Sequence, residues 1–464
     1  MNSGLSPDPS PPGRGGTREP RRDSPRMEPA RALYTALVFA ALPFLPLKLW
    51  WRGRREPGYR RAIGERFGRH AASVVPAPLF WVHAVSVGET RAALPLVQRL
   101  KRAHPDATIL LTHMTAAGRE AGRTLLGDAV EQAWLPYDFP FAVRAFFARF
   151  RPVAGFLLET ELWPNLIAGA SQLAIPMFLV NARLSERSAR GYARFPALTR
   201  PMLARLRGVA AQSEDDAARL AELGGPAPVV TGNLKFDLAV PDQARALAAE
   251  FRLRFGAATR PLWIAASTRD GEEALILDAM ARSPLPAKVL TLIVPRHPQR
   301  FDVVADMLRR RGIPFIRRSS DAAVPAEAAV VLGDSMGEML AYYAAADVAF
   351  VGGSLLPYGA HTLIEPLSVG TPVLIGPHTF NFAEATENAL SAGAAIRVED
   401  ADSLIARVTN LLDDTESRAA MASAARAFHA AHRGASDRLW AWLAPQLSAL
   451  FGSDDKEASR SNRG

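Results

Sequence analysis

The sequence predicts an α/β fold of two Rossmann-like, doubly wound domains facing a cleft, preceded by a membrane-anchoring helix. Two observations point to the domains. Short, fully apolar runs alternate with helical stretches, as the strands of a parallel sheet alternate with crossover helices. These runs form two sets with a polar helical stretch between them. A third observation points to the anchor, an apolar segment near the amino end with a train of arginines behind it. With 464 residues, 48% of them hydrophobic, the chain has enough apolar surface for two cores.

In chain order, residues 1–29 read as an extension. Pro, Gly, Ser and Arg dominate residues 1–26, with too few large apolar groups to offset the entropy of folding, so disorder is expected. Met27 stands just ahead of the apolar segment and is a candidate start of translation, which amino-terminal sequencing that finds earlier residues would overturn. The anchor is assigned to residues 30–51. Ala32 to Leu47 is apolar apart from Tyr34 and Thr35, roughly sixteen residues against the ~20 that span a bilayer. Trp50 and Trp51 at the headgroups and a snorkelling Lys48 would let it span, whereas Pro43 and Pro46 favour a bent, interfacial helix. No small-residue cleavage site follows, which argues against a removed signal peptide.

Behind the anchor, Arg52, Arg54, Arg55, Arg60, Arg61, Arg66 and Arg69 stand against only Glu56 and Glu65, and this bias places the body of the protein on the cytoplasmic side, against anionic lipid. The net charge of +9 is concentrated near the amino end with few interleaved aromatics, which points to a lipid surface and away from nucleic acid. Cysteine is absent, which excludes disulfides and thiolate metal sites.

The first domain, 52–238, carries buried-strand patterns at 79–85, 108–112, 153–158, 177–180 and 208–211. The second, 239–430, carries them at 262–266, 288–294, 329–332, 348–351 and 373–375. Residues 239–260, polar and helical with Pro241 near their start, read as the linker. Residues 431–452, amphipathic and containing Trp440 and Trp442, are assigned by analogy to a helix returning across the first domain, and 453–464 to a polar tail.

Ligands of open α/β sheets bind beyond the carboxyl ends of the strands, so polar residues there are the candidates for chemistry. Glu89, in His83-Ala-Val-Ser-Val-Gly-Glu89-Thr90, follows the first strand and opens a helix; partial desolvation would raise its pKa toward that of a working base. Ser86-Val-Gly-Glu89 equally matches a capping box. Glu159 and Glu161 follow the 153–158 strand, where residues two apart share a face, although paired or solvated carboxylates would look the same. Lys235 closes the first domain at the cleft in Gly232-Asn233-Leu234-Lys235.

In the second domain, Pro295 and Arg296 follow the 288–294 strand, and the planar guanidinium suits a phosphate. Gly337, Glu338 and Met339 sit one α/β unit before the 348–351 strand, whose terminal Gly352 and Gly353 let the backbone approach a ligand closely. A helix beginning near Thr362, followed by Leu363, Ile364 and Glu365, would turn its free amides to an anion; Thr362 to Glu365 is also a capping-box match. His83, His113, His297, His361 and His378 lack metal-ligand spacing, and no Asp-x-Asp stands at a strand end, so no bound metal or other cofactor is expected.

Several of these residues lie in segments that follow one another in a specific order: Val-Ser-Val-Gly-Glu, Leu-Pro-Tyr-Asp, Glu-Thr-Glu-Leu-Trp-Pro-Asn, Asn-Ala-Arg-Leu-Ser, Gly-Asn-Leu-Lys-Phe-Asp, Ala-Ser-Thr-Arg, Val-Pro-Arg-His-Pro, Gly-Asp-Ser-Met-Gly-Glu and Gly-Pro-His-Thr-Phe-Asn-Phe. From about residue 80 to 387 the chain thereby resembles the 3-deoxy-D-manno-octulosonic acid (Kdo) transferases of lipopolysaccharide assembly. The resemblance implies an inverting glycosyltransferase of the GT-B plan at the inner membrane, moving Kdo from CMP-Kdo to a hydroxyl of a lipid A precursor (lipid IVA). It makes the first domain acceptor-binding and the second nucleotide-sugar-binding. It implies Glu89 as general base, with Glu159 and Lys235 assisting the transition state, and the nucleotide held by Pro295 and Arg296, by Gly337 to Met339 and by Thr362 to Glu365. Residues 359–362 depart from the family pattern, with Ala360 for Gly and Thr362 for Asn; the first reads as mild, while the second loses the amide's paired donor and acceptor. A related enzyme with another nucleotide sugar or lipid acceptor, a nucleotide-sugar epimerase and a non-catalytic binder are the alternatives.

Overall fold

The structure, a computed structural model, describes residues 27–70, 78–257 and 260–451, so the readings for residues 1–26 and for the polar tail lie outside the described residues. Each domain centres on a seven-stranded parallel sheet. The first comprises β1 (Leu79–His83), β2 (Thr108–His113), β3 (Glu131–Trp134), β4 (Ala154–Leu158), β5 (Met177–Ala182), β6 (Gly208–Ala211) and β7 (Val229–Val230), in the order β3-β2-β1-β4-β5-β6-β7. The second comprises β8 (Leu262–Thr268), β9 (Leu290–Pro295), β10 (Phe315–Arg317), β11 (Val330–Leu332), β12 (Val348–Val351), β13 (Val373–Ile375) and β14 (Ala395–Arg397), in the order β10-β11-β9-β8-β12-β13-β14. This is the GT-B architecture. The strand order reverses between β1 and β4 and again between β8 and β12, and a crevice opens at the carboxyl ends at each such switch point.

The ten predicted strands are present. The four that the sequence did not reveal are β3, β7, β10 and β14, which are the four sheet edges. Central strands such as β1, β4 and β12 are buried along their whole length, which demands the continuous apolar run that makes them visible. Edge strands are half open: β10, Phe-Ile-Arg, is only partly buried throughout, and β7 has two residues.

The helix Asp242–Arg254 corrects the linker reading, because Ala248 and Phe251, with Phe255 just after the helix, are buried in the second core. The helix Ala435–Phe451 lays Leu439, Leu443 and Leu447 into the first core beside Phe80 and Val82, with Trp442 edge-on to Phe178. Its start is tethered by the Asp237 carboxylate, which accepts from the Gly434 amide at 2.6 Å.

At the amino end, helices Pro29–Ala40 and Leu45–Arg55 are joined by a 3-10 turn at Leu42–Phe44 that contains Pro43. Their polarity is inverted. Arg31 and Thr35 are buried against the first domain, where the Thr35 hydroxyl donates to Asn165 Oδ1 at 3.1 Å and Tyr34 hydrogen-bonds Asp138. Leu33, Leu37, Phe44, Leu47, Trp50 and Trp51 face outward. One arginine of the predicted basic train does not belong to it: Arg66 is buried, its guanidinium 3.8 Å from the Trp134 ring centroid. Glu65 is likewise engaged, by Arg119 at 3.1 Å and by the Trp134 amide at 2.8 Å.

Candidate active site

Glu89 sits in the first turn of helix Val87–Ala103, directly after β1, and is 8% exposed. Half of the capping box forms: Ser86 Oγ accepts from the Glu89 amide at 3.4 Å, but Glu89 Oε2 accepts from the Val85 amide in place of that of Ser86, and Oε1 from the Ser86 hydroxyl, both at 2.8 Å. Capping does not remove the electrostatic load. Burial first, and then the negative charge of Glu159, push the Glu89 carboxyl up to about 7 against those hydrogen bonds.

Glu159 ends β4 in the left-handed region, φ +58°, which turns it out of the strand's alternation. Its Oε1 lies 2.7 Å from Lys235 Nζ. A bulge between β5 and β6 makes this meeting possible: Asn181, at φ +51°, presents Oδ1 to the Leu234 amide at 2.9 Å and fixes the turn that carries Lys235. Glu161 takes another path, accepting from Trp163 Nε1 at 2.9 Å, and burial raises its pKa. His83 Nε2 approaches Glu161 at 4.0 Å, but burial first and then His113 lower the His83 pKa to about 3, so this is not an ion pair near neutral pH.

On the second sheet, Pro295 ends β9, and Arg296 stands exposed in the cleft. Pro295, Gly337, Met339 and Arg91 of the first domain line one small cavity of about 90 Å³. Glu338 faces inward: Oε1 accepts from Arg318 at 2.9 Å and Oε2 from the Tyr342 hydroxyl at 2.9 Å. Beside Arg296 lie Arg269 and His361; burial, then those two cations, lower the His361 pKa to about 3.

The helix expected near Thr362 starts at Ile364 and has six residues. No capping box forms there. Thr362 Oγ1 accepts from the Ile364 amide at 3.3 Å, and Glu365 reaches across the cleft to Arg91, 3.1 Å from Oε1 to Nη1. Burial raises the Glu365 pKa, opposed by Arg91, Arg296 and Lys235. Leu363 and Ile364 are buried in the core, so their side chains are not presented to the cleft. The glycine pair after β12 also serves packing. A Cβ at Gly352 would lie 2.7 Å from the carbonyls of Ala266 and Ser267, and the amides of Gly353, Ser354 and Leu355 all donate to the buried Glu272 carboxylate. Ala360 is not a mild departure, because it holds φ +66°, a conformation suited to glycine.

Three contributors escaped sequence reasoning. Arg91 and Arg269 act through neighbours from other elements; their only local signal is a place inside or beside quoted segments, Arg269 ending Ala-Ser-Thr-Arg. Glu272, in the first turn of helix Glu272–Arg282, gives no local sign that it holds the β12 loop. Among the described residues, no group of three or more His, Cys, Asp or Glu side chains is arranged to hold a metal ion.

Comparison with known proteins gives the family. Residues 61–238 match the family described as 3-deoxy-D-manno-octulosonic-acid transferase (kdotransferase), and 315–428 match glycosyl transferases group 1. The chain is 46% identical to the 3-deoxy-D-manno-octulosonic acid transferase of Bordetella pertussis, covering 89% of this chain and 99% of that one. It is 38% identical to the enzyme of the same name from Haemophilus influenzae, covering 90% and 99%. Among solved structures, Anabaena HepE in complex with UDP superposes with a TM-score of 0.55 at 16% identity, over 80% of this chain and 100% of that one. The UDP-GlcNAc 2-epimerase of Neisseria meningitidis gives 0.52 at 16% identity, over 79% and 100%. At such identities the likeness is one of fold alone.

Proposed function

This chain belongs to the Kdo transferase family, and from that premise we propose how its cleft performs the reaction. The enzyme is a glycosyltransferase that transfers Kdo in lipopolysaccharide biosynthesis. In our reading the donor is CMP-Kdo and the acceptor a lipid A precursor.

Glu89, poised at about 7, takes the proton from the acceptor's 6-hydroxyl as that oxygen attacks the anomeric carbon from the face opposite the nucleotide. The carbon–oxygen bond to the phosphate breaks, CMP leaves with the electron pair, and the configuration inverts. Arg296, with Arg269 beside it, receives the phosphate charge, and Pro295, Gly337 and Met339 border the nucleotide. Lys235 pairs with Glu159 and meets the donor's carboxylate, while Glu338, Thr362, Leu363 and Ile364 shape this wall from behind. The single observation that carries the reading is the near-neutral carboxyl of Glu89 facing the Glu159–Lys235 pair at the switch point of the first sheet.

The amino-terminal helical segment 29–54, whose most apolar 18-residue stretch has mean hydropathy 1.7, and the family support association with a membrane. We place the body on the cytoplasmic face of the inner membrane. The docking of Thr35 and Tyr34 onto the first domain favours a helix lying in the interface over one leaving the body to span the bilayer.

The test is transfer of labelled Kdo, from CMP-Kdo generated in the reaction, to a tetraacylated lipid A precursor. Labelled lipid from the wild type and its loss in Glu89→Ala support the reading; no labelled lipid from folded, membrane-bound wild type refutes it.

A further inference from the structure

A cavity of about 550 Å³ opens beside the catalytic segment, outside the nucleotide cleft. That lies within the roughly 300–1,000 Å³ typical of sites that enclose a small molecule. Its floor is Thr160, Glu161 and Leu162, immediately after Glu159. Its far wall is Tyr34 of the amino-terminal helix, and Leu198 and Met202 of helix Pro196–Ala204 form one side.

The cavity therefore joins two surfaces of different character. At one end stand the carboxylates that face the reacting sugar. At the other, Tyr34 belongs to the helix whose outward face is Leu33 and Leu37, and Phe195, 66% exposed, stands at the rim. Several polar atoms in the walls are already engaged: Tyr34 with Asp138, Trp163 Nε1 as a donor to Glu161, and the Thr199 hydroxyl as a donor to the Tyr192 carbonyl at 3.0 Å, which leaves Glu161, Ser188 and Tyr192 as the polar groups of the lining. The rest of the lining, Leu162, Pro164, Phe195, Leu198 and Met202, is apolar surface continuous with the lipid-facing helix and suited to a hydrocarbon chain.

We propose that this cavity seats one acyl chain of the lipid acceptor, drawn in past Tyr34 and Phe195, so that the chain's burial positions the headgroup hydroxyl at Glu89. The inference rests on the reading of the protein as a lipid-directed Kdo transferase. It assigns the amino-terminal helix a second task, as a wall of the substrate site.

Gly191 supplies the test. It lines the cavity from within helix Glu186–Ala193, and a Cβ there would meet nothing within 4 Å. The Cβ of Gly191→Leu therefore enters open space, the rest of the side chain extends along the cavity wall, and replacing a helical glycine favours the helix. Displacing two methylene groups of a buried chain costs a factor of roughly ten. The expected result is a KM for the tetraacylated acceptor raised about tenfold, with the KM for CMP-Kdo unmoved. In parallel, a photoreactive fatty acid is expected to label the segment 186–204 of the wild type and not of Gly191→Leu. An unchanged acceptor KM, or labelling undiminished by the substitution, overturns the proposal. Wild type that takes the label yet transfers no Kdo supports the cavity's ligand and refutes the assigned reaction, so the two failures are distinguishable.

Discussion

The two sheets share strand number, parallel pairing and a switch point, yet their carboxyl edges carry opposite charge. The first presents Glu89, Glu159 and Glu161 with Lys235 as the cation among them; the second presents Arg296 and Arg269. One scaffold thus serves two chemistries, set by the residues at the strand ends. Carboxylates crowded by burial and by one another hold a proton near neutrality and suit a base. Guanidinium groups keep their charge and suit a phosphate. Each domain also sends one group of its minority sign across the cleft, Arg91 from the first meeting Glu365 from the second.

This division predicts a ranking of effects. The largest belongs to the base: Glu89→Gln should lower the transfer rate by about 10²–10⁴-fold with the circular dichroism spectrum retained. A loss of less than about threefold would dissolve the distinction between the edges. Next, Arg296→Ala should raise the KM for CMP-Kdo by roughly ten- to a hundredfold, as expected for a lost charge-assisted hydrogen bond. A greater effect on the acceptor KM would place Arg296 on the wrong side of the cleft.

Smaller shifts should appear in the pH profile. The wild-type rate should rise with pH through about 7 and then level, as Glu89 loses its proton. Glu159→Gln removes a neighbouring negative charge and should move this midpoint down by about one unit; Lys235→Met leaves Glu159 uncompensated and should move it up by a similar amount. Because the folded carboxyl titrates at about 7 and its ordinary value is 4.5, the stability tied to this group is complete below 4.5 and is lost as pH rises to 7. Urea titrations of Glu89→Gln across that window should lack this slope. The smallest effect is expected at Ala360→Gly, which relieves a left-handed alanine and should stabilise the protein by about 1 kcal/mol by thermal denaturation.

How far the sequence discloses this molecule depends on what each residue's neighbours are. Strands covered on both faces must be apolar at every position, so Val348 to Val351 is unmistakable, while Phe315-Ile-Arg317 at an edge obeys no such rule. In the site, Glu89 and Glu159 follow apolar runs and are candidates by position, while their roles rest on the family resemblance. The roles of Arg91 and Glu272 depend on partners 274 and 81–83 residues away, which no local pattern encodes. A capping box is matched at both Ser86 and Thr362 and neither closes: Glu89 turns to the Val85 amide and the Ser86 hydroxyl, and Glu365 to a cation across the cleft.

The helix Ala435–Phe451 seals a core that includes Phe80 and Val82, more than three hundred residues upstream. On the ribosome the first domain lacks this helix when its own sheet has emerged, while the second domain, its last helix ending at His432, is free to fold ahead of the seal. The order of completion is therefore the reverse of the order of synthesis. A premature stop near residue 430 would leave the first domain with Phe80 and Val82 unsealed and the second with its own helices in place.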